Sequence, residues 1–459
     1  MDRRDFVTLG AAGLAGRALF GHRNVSHPAP HPLAADGTPS PGAPDRMQWW
    51  RDARFGMFVH LGLYSLPGGE WNGKFVGSHE WMRNNARIPH EEYIQLANRW
   101  NPTALDADAI VRMAKAAGQK YVVVTTKHHE GFALWPSAVS EYDVMATPYK
   151  RDIMRAFADA CRTHGLRLGW YYSIMDWYHP DYLPRRDWER RDASGADFSR
   201  YVRFMHAQLR ELLTNYGQVS ILWFDGQWEK TWSHALARET VALCRSLQPG
   251  VIINNRVDVA APGGDDRTRG DGNVGDYSTP ELEVPARGLP GQDWESCMTM
   301  NDNWGFAKDD SNWKSPARLI GLLVETASKG GNLLLNVGPD GSGRVPQPSV
   351  DGLAVIGRWM AANGDAIYRS TASIVDTPAC RTTTQGQYIN VFVEQWQPGE
   401  LVLPGVWATP RRAWLLADEG TRIPLGAGDD GVVLTLPDRA PDPICSVVRV
   451  EFDRDVRAG

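Results

Sequence analysis

From Met47 onward, apolar residues recur first at helical spacing and then as short unbroken runs, and this exchange repeats down the chain. Ile110, Met113, Ala114 and Ala117 share one helical face, Gly118 stops the helix, and residues 121–126 follow as a β-branched run. Met154, Phe157, Ala158 and Cys161 repeat the helical period before Gly165 and the run 166–172. Met205, Leu209 and Leu212 do so again before Gly217 and the run 219–224. Such cycles predict a parallel sheet, because parallel neighbours need a crossover long enough to hold a helix.

Residues 55–60 supply an earlier strand, and 251–255, 294–299 and Asn332–Val337 supply later ones. Leu319, Leu322 and Leu323 place a helix before the last of them. About seven or eight strands, with no Gly-rich phosphate loop after the first, predict a closed (β/α)8 TIM-like barrel rather than an open doubly wound sheet. After a helix carrying Leu353, Ile356, Gly357 and Met360 the period changes, and short alternating runs at 387–394, 412–417, 431–436 and 446–452 are cut by Gly, Pro and Asp turns. The organisation read from this is a catalytic α/β barrel over residues 45–370 followed by a small C-terminal antiparallel β-sandwich over 371–459.

The first 44 residues follow other rules. Arg3-Arg4-Asp5-Phe6 precedes a small-residue apolar run at 7–16, the pattern of a twin-arginine export signal, and the polar, Pro-rich stretch 22–44 reads as a linker. Cleavage near Leu33-Ala34-Ala35 and a periplasmic or extracellular location are the expectation. No other apolar run is long enough to span a bilayer.

A net charge of -5 with the two signs interspersed argues against a nucleic-acid partner. The five cysteines include no CxxC pair and predict no zinc site. Cys380 and Cys445 fall in the same small domain, which leaves one bridge open. Nineteen tryptophans are many, and their flat faces serve sugar rings as readily as cores.

Barrel chemistry gathers at the C-terminal ends of the strands. Those ends carry His60, then Lys127-His128-His129-Glu130-Gly131, then Tyr171-Tyr172-Ser173, then Trp223-Phe224-Asp225-Gly226. A strand-end Asp is ordinarily a turn or helix cap. Asp225, closing the run Ile221-Leu222-Trp223-Phe224 amid histidines and aromatics, reads instead as a nucleophile at the barrel mouth. A metal site at His128-His129 is disfavoured, because adjacent side chains on an extended chain point to opposite faces. The Gly- and Asp-rich run 263–275 lacks the ligand pattern of a calcium loop and reads as a solvated loop over the mouth. No cofactor or metal is expected.

Several segments together resemble the retaining α-L-fucosidases of glycoside hydrolase family 29. They are 54–60, Glu80-Trp81, 127–132, Trp223-Phe224-Asp225, Thr279-Pro280-Glu281, 328–339 and 364–368, in order over 47–368. The resemblance implies exo-acting removal of terminal α-L-fucose from fucosylated oligosaccharides or glycoconjugates by double displacement. It implies that His60, Glu80, His128, His129, Tyr171, Trp223 and Arg256 hold the ring while Asp225 attacks. Phe58, Trp81 or Trp223 would contact the 6-methyl group. Glu281 matches the acid/base position, with Glu283 and Glu295 as rivals. Two other readings stand beside it: a metal-dependent barrel hydrolase using His60, His128 and Asp225, and a catalytically silent fucose-binding protein. Linkage preference and oligomeric state are not written in these motifs.

Overall fold

The structure, a computed structural model, describes residues 45–260, 264–265 and 267–456. The export signal, the linker and the cleavage point lie outside the described residues.

The strands of the barrel are β1 (Phe55–Val59), β2 (Tyr121–Lys127), β3 (Arg167–Ser173), β4 (Ile221–Asp225), β5 (Ile252–Ile253), β6 (Glu295–Thr299) and β7 (Asn332–Val337). Nearly every residue in them is buried, as expected where a sheet is covered on both faces. All neighbours pair in parallel, in the order β5-β4-β3-β2-β1-β7-β6.

The helices between them are α1 (Ala107–Ala116), α2 (Ile153–His164), α3 (Phe198–Thr214), α4 (His234–Leu247), α5 (Pro316–Ser328) and α6 (Gln347–Asn363). The first five begin on side-chain caps, with Asp106, Asp152, Asp197, Ser233 and Ser315 each accepting a backbone N–H of the opening turn. Each such cap is worth about 1 kcal/mol. Gly165, at φ 72°, ends α2 in the left-handed conformation that glycine adopts without penalty.

The seven-stranded ladder becomes a closed ring through an irregular eighth stave, residues 276–282, set between β5 and β6. Bridges join Asn254 to Tyr277, Ser278 to Trp294 and Glu281 to Cys297, all parallel. Pro280 has no N–H to donate, and Leu282 turns to φ 57°, so this stave does not continue as a regular strand. The ring encloses Phe58, Tyr121, Val123, Tyr171, Trp223, Ile252, Tyr277 and Leu334, and a second apolar layer lies between strands and helices. At Gly331 an added Cβ would lie 2.5 Å from the Trp294 ring. Arg54 donates from Nε to Ser370 O at 3.1 Å, and its guanidinium also meets Gly330 O, so the 329–332 segment closes the bottom of the barrel.

Beyond residue 370 lie β8 (Arg381–Gln385), β9 (Tyr388–Val393), β10 (Gly399–Pro404), β11 (Pro410–Leu415), β12 (Asp418–Ile423), β13 (Leu425–Gly428), β14 (Gly431–Leu436) and β15 (Ser446–Phe452). They form antiparallel sheets of five and three strands, ordered β8-β9-β15-β11-β12 and β10-β14-β13, around a separate core of Ile389, Leu403, Leu434, Val448 and Phe452. Trp359 Nε1, on α6, donates to Cys445 O at 2.8 Å and ties this layer to the barrel. Cys380 and Cys445 are both free thiols, so the bridge left open by their positions is not formed. Among the described residues no helix is long and apolar enough to cross a membrane.

Candidate active site

The parallel strands deliver their C-terminal ends to one face, where a cavity of about 650 Å³ opens, a volume suited to a small ligand. Phe58 and His60 reach it from the end of β1, His128 from the end of β2 and Tyr171 from β3. Trp223 and Asp225 come from β4, Arg256 from the turn after β5, and Glu281 from the closing stave. Glu80 and Trp81, on the short 3-10 turn His79–Trp81, complete the wall. Every side chain assigned to the site from the sequence lines this cavity except His129, which stands directly behind it.

The adjacent histidines do not diverge as an extended chain would require. β2 ends at Lys127, and the 128–131 turn, closed by Gly131 N donating to His128 O at 3.0 Å with Gly131 at φ 84°, brings the two rings within 4.2 Å. His128 stacks on Tyr171 at 5.3 Å with an interplanar angle of 8°. His129 places Nε2 3.5 Å from Asp225 Oδ2 and Nδ1 2.6 Å from Ser173 Oγ. Because Ser173 Oγ donates to Met175 O, it accepts from His129 Nδ1, which leaves Nε2 as the acceptor nitrogen. Burial, reinforced by the neighbouring cations and imidazoles, holds both histidines well below their ordinary range, so both are neutral.

His60 follows the same logic. Asn336 donates its amide to Trp304 O at 2.8 Å and presents Oδ1 to His60 Nδ1 at 2.7 Å, so the imidazole proton sits on Nδ1 and Nε2 is an acceptor. Burial pushes the ring down to about 4 against that hydrogen bond. Glu80 is pushed up to about 7 by burial, although Gly305 N donates to it at 3.3 Å.

Asp225 accepts from Tyr171 Oη at 3.0 Å and from Arg256 Nη1 at 3.1 Å. Burial raises its carboxyl above the ordinary range, against the nearby Arg256 charge. The other end of the same guanidinium donates from Nη2 to Glu281 Oε2 at 2.7 Å, and Trp304 Nε1 donates to Glu281 Oε1 at 3.1 Å. Burial pushes Glu281 up, but Arg256, the Trp304 N–H and His60 outweigh it and hold the carboxyl below its ordinary range. Arg256 is itself fixed by Thr279 Oγ1 at 2.9 Å and lies over the Trp223 ring at 4.9 Å. Two carboxylates thus face one cavity, clamped by a single fork.

The rivals of Glu281 lie elsewhere. Glu283 is half exposed at the surface, 3.9 Å from Arg267. Glu295 is wholly buried in the barrel below Trp223, accepting from Trp223 Nε1 at 3.2 Å and from Tyr121 Oη, and burial pushes it up to about 7. Neither lines the cavity. The positive charge beside Asp225 comes from Arg256, and among the described residues no three His, Cys, Asp or Glu side chains converge as a metal ion would require.

Two wall residues carried no weight in the sequence reading. Trp304 packs on His60 at 5.2 Å besides holding Glu281, and Trp228 lies nearly parallel to Trp81 at 6.3 Å. Both follow strand ends, Trp228 in the loop after β4 and Trp304 in the loop after β6, so carrying the same scan further into those loops would have found them. Among the described residues, none beyond Trp304 in the chain lines the cavity. The C-terminal sheets do not build this site.

Residues 38–365 match the family model described as Alpha-L-fucosidase. The tissue α-L-fucosidase of Rattus norvegicus is 30% identical over 453 residues, spanning 93% of this chain and 92% of the relative. Among solved structures, α-L-fucosidase isoenzyme 1 from Paenibacillus thiaminolyticus superposes with a TM-score of 0.81 at 38% identity, covering 89% of this chain and 99% of that one. A Bacteroides thetaiotaomicron GH29 α-L-fucosidase, captured as a trapped covalent intermediate with 2-fluoro-fucosyl fluoride, does so at 0.81 and 34%, covering 92% and 99%. The chain belongs to the α-L-fucosidases of glycoside hydrolase family 29.

Proposed function

We propose that this chain is an exo-acting, retaining α-L-fucosidase in which Asp225 is the nucleophile and Glu281 the acid/base. The observation that carries the assignment is the pair of carboxylates on opposite ends of the Arg256 guanidinium, facing one cavity. Retaining hydrolysis needs two carboxyls on the two sides of one glycosidic bond.

In the first step Asp225 Oδ forms a bond to the anomeric carbon as the glycosidic C–O bond breaks, and the leaving oxygen takes the Glu281 proton. In the second, Glu281 removes a proton from water, whose oxygen displaces Asp225 and restores the original configuration. Without sugar, Glu281 is ionised against Arg256 and keeps a side chain about 29% exposed. A sugar that covers it removes that water and raises its proton affinity, so proton uptake accompanies substrate entry. Asp225 stays ionised because Arg256 and the Tyr171 hydroxyl oppose its burial.

The neutral Nε2 of His60 and the carboxyl of Glu80 accept from sugar hydroxyls. Phe58, Trp81 and Trp223 offer the apolar contact a 6-deoxy sugar needs. A cavity walled on so many sides suits a single terminal residue, which supports exo action on fucosylated glycans. Hydrolysis of a chromogenic aryl α-L-fucoside, followed by NMR of the first-released sugar, tests the reading. The α-anomer is expected first, and absence of turnover between about pH 4 and 9 overturns it. The Arg3-Arg4 start supports action outside the cytoplasm, testable by following the size and compartment of the protein when the twin arginine is replaced by twin lysine.

A further inference from the structure

A second cavity, of about 670 Å³, opens beside the catalytic one, and Trp228 lines both. The common wall is built from stacked groups: Trp228 lies against Trp81 at 18°, and Arg186, which lines the second cavity, sits over Trp81 at 5.3 Å. The two cavities are therefore neighbours across one stacked wall, close enough for a glycan whose fucose fills the first to reach the second.

Its charge is one-sided. Arg87, Arg185, Arg186 and Lys230 line it against Asp187 and Glu229. Glu229 is engaged by Arg186 at 3.1 Å. The Arg185 guanidinium donates to the carbonyls of His179 and Tyr182 at 3.1 and 3.2 Å and also meets Pro180 O, and among the described residues it has no carboxylate partner and its buried Nε no hydrogen-bond acceptor. Arg87 and Lys230 are exposed and form no ion pair among the described residues. Trp188 adds an aromatic wall, held by its Nε1 donating to Asn84 Oδ1 at 3.1 Å. Exposed aromatic faces suit sugar rings, and guanidinium forks suit planar or tetrahedral oxyanions.

We infer that this cavity is a subsite for an anionic group, a sulfate ester or a carboxylate, on the glycan that carries the fucose. The inference rests on the fucosidase reading and adds the substrate class. Arg87 and Lys230 do not line the catalytic cavity, so their charges act on choice of substrate. An acidic glycan is favoured over its neutral counterpart at low salt, and the preference falls as salt screens the exposed charges.

The test compares kcat/KM on three fucosyl oligosaccharides with one backbone, neutral, sulfated and uronate-bearing, together with an aryl fucoside. The enzymes are wild type and the double variant Arg87→Glu with Lys230→Glu, checked for unchanged melting temperature. The expected result is a preference of about tenfold for one or both acidic substrates, abolished by the double variant and by added sodium chloride, with aryl fucoside turnover changed by less than about twofold. Which acidic arm shows the preference identifies the anion. Equal rates on all three substrates, or equal loss on acidic and neutral substrates in the variant, overturns the inference. Inactivity on the aryl fucoside as well would defeat the fucosidase reading instead, and titration of the fucose-free sulfated or uronate backbone then decides the subsite separately by whether the double variant loses its binding.

Discussion

Replacing Arg256 by methionine removes the counter-ion from both carboxylates at once while keeping the bulk that packs on Trp223. The two contacts, 3.1 Å to Asp225 and 2.7 Å to Glu281, correspond at an effective dielectric near 20 to on the order of 5 kcal/mol each before desolvation is counted. Solvent reaching Glu281 discounts its share, and about 3 kcal/mol is a reasonable figure for the loss at Asp225. Removing the cation raises the proton affinity of both carboxyls. The acid limb of kcat/KM, which reports the ionised nucleophile, moves to higher pH, and the alkaline limb, which reports the protonated acid, moves the same way. The whole bell shifts upward. On its acid side, activity falls on the order of 10²-fold, and it recovers toward alkaline pH. Arg256→Lys keeps the charge but cannot bridge two carboxylates and Thr279 together, so its bell stays in place while its height drops about tenfold. The assay is kcat/KM on an aryl α-L-fucoside across pH, with folding followed by circular dichroism. A methionine variant that loses one constant factor at every pH would refute the reasoning, because Arg256 would then hold sugar without governing protonation.

Further outcomes follow from the same geometry. Glu281→Ala loses about 10²- to 10⁴-fold on a natural glycan, and azide restores turnover of an activated aryl fucoside, whereas Glu283→Ala stays near wild type; rescue at Glu283 or Glu295 instead would reassign the acid/base. Glu80 has its carboxyl raised from 4.5 to about 7, so its ionisation destabilises the fold as pH rises between those values. Glu80→Gln therefore melts like wild type below pH 4.5 and is more stable above pH 7 by up to roughly 3 kcal/mol, at the expense of activity. At Gly131, φ is 84° and an added Cβ would lie 2.2 Å from Asp176 Oδ1, so Gly131→Ala should cost about 2 kcal/mol in denaturant unfolding and displace His128 and His129.

The parts of this molecule that a linear reading finds are those where one residue does one thing. Asp225 is legible because a carboxylate ends the apolar run Ile221-Leu222-Trp223-Phe224 and a glycine frees the next turn. Thr279-Pro280-Glu281 marks Glu281 only through the resemblance, and burial and the direction of Arg256 are what set it physically apart from Glu283 and Glu295. The apolar run predicts β5 over 251–255, but it pairs only at Ile252–Ile253, because the Asn254 side chain takes over the ladder, accepting from Phe224 N at 2.7 Å and donating to Phe224 O at 2.9 Å. An eighth strand could not be seen at 276–282, where Pro280 and the left-handed Leu282 erase any period. In the C-terminal layer, β8 is Arg-Thr-Thr-Thr-Gln and β12 is Asp-Glu-Gly-Thr-Arg-Ile, and neither carries the apolar alternation that predicts a strand.

The closing stave gives the two carboxylates unequal mechanical supports. Asp225 sits in a regular ladder, in register with Ser173 on β3, while Glu281 rides on a segment joined to its neighbours by single bridges. The backbone amides of Thr279, Glu281 and Leu282 should exchange with deuterium faster than those at 221–225. The attacking group is thereby held stiff, and the proton donor has the compliance to follow leaving groups of different shape.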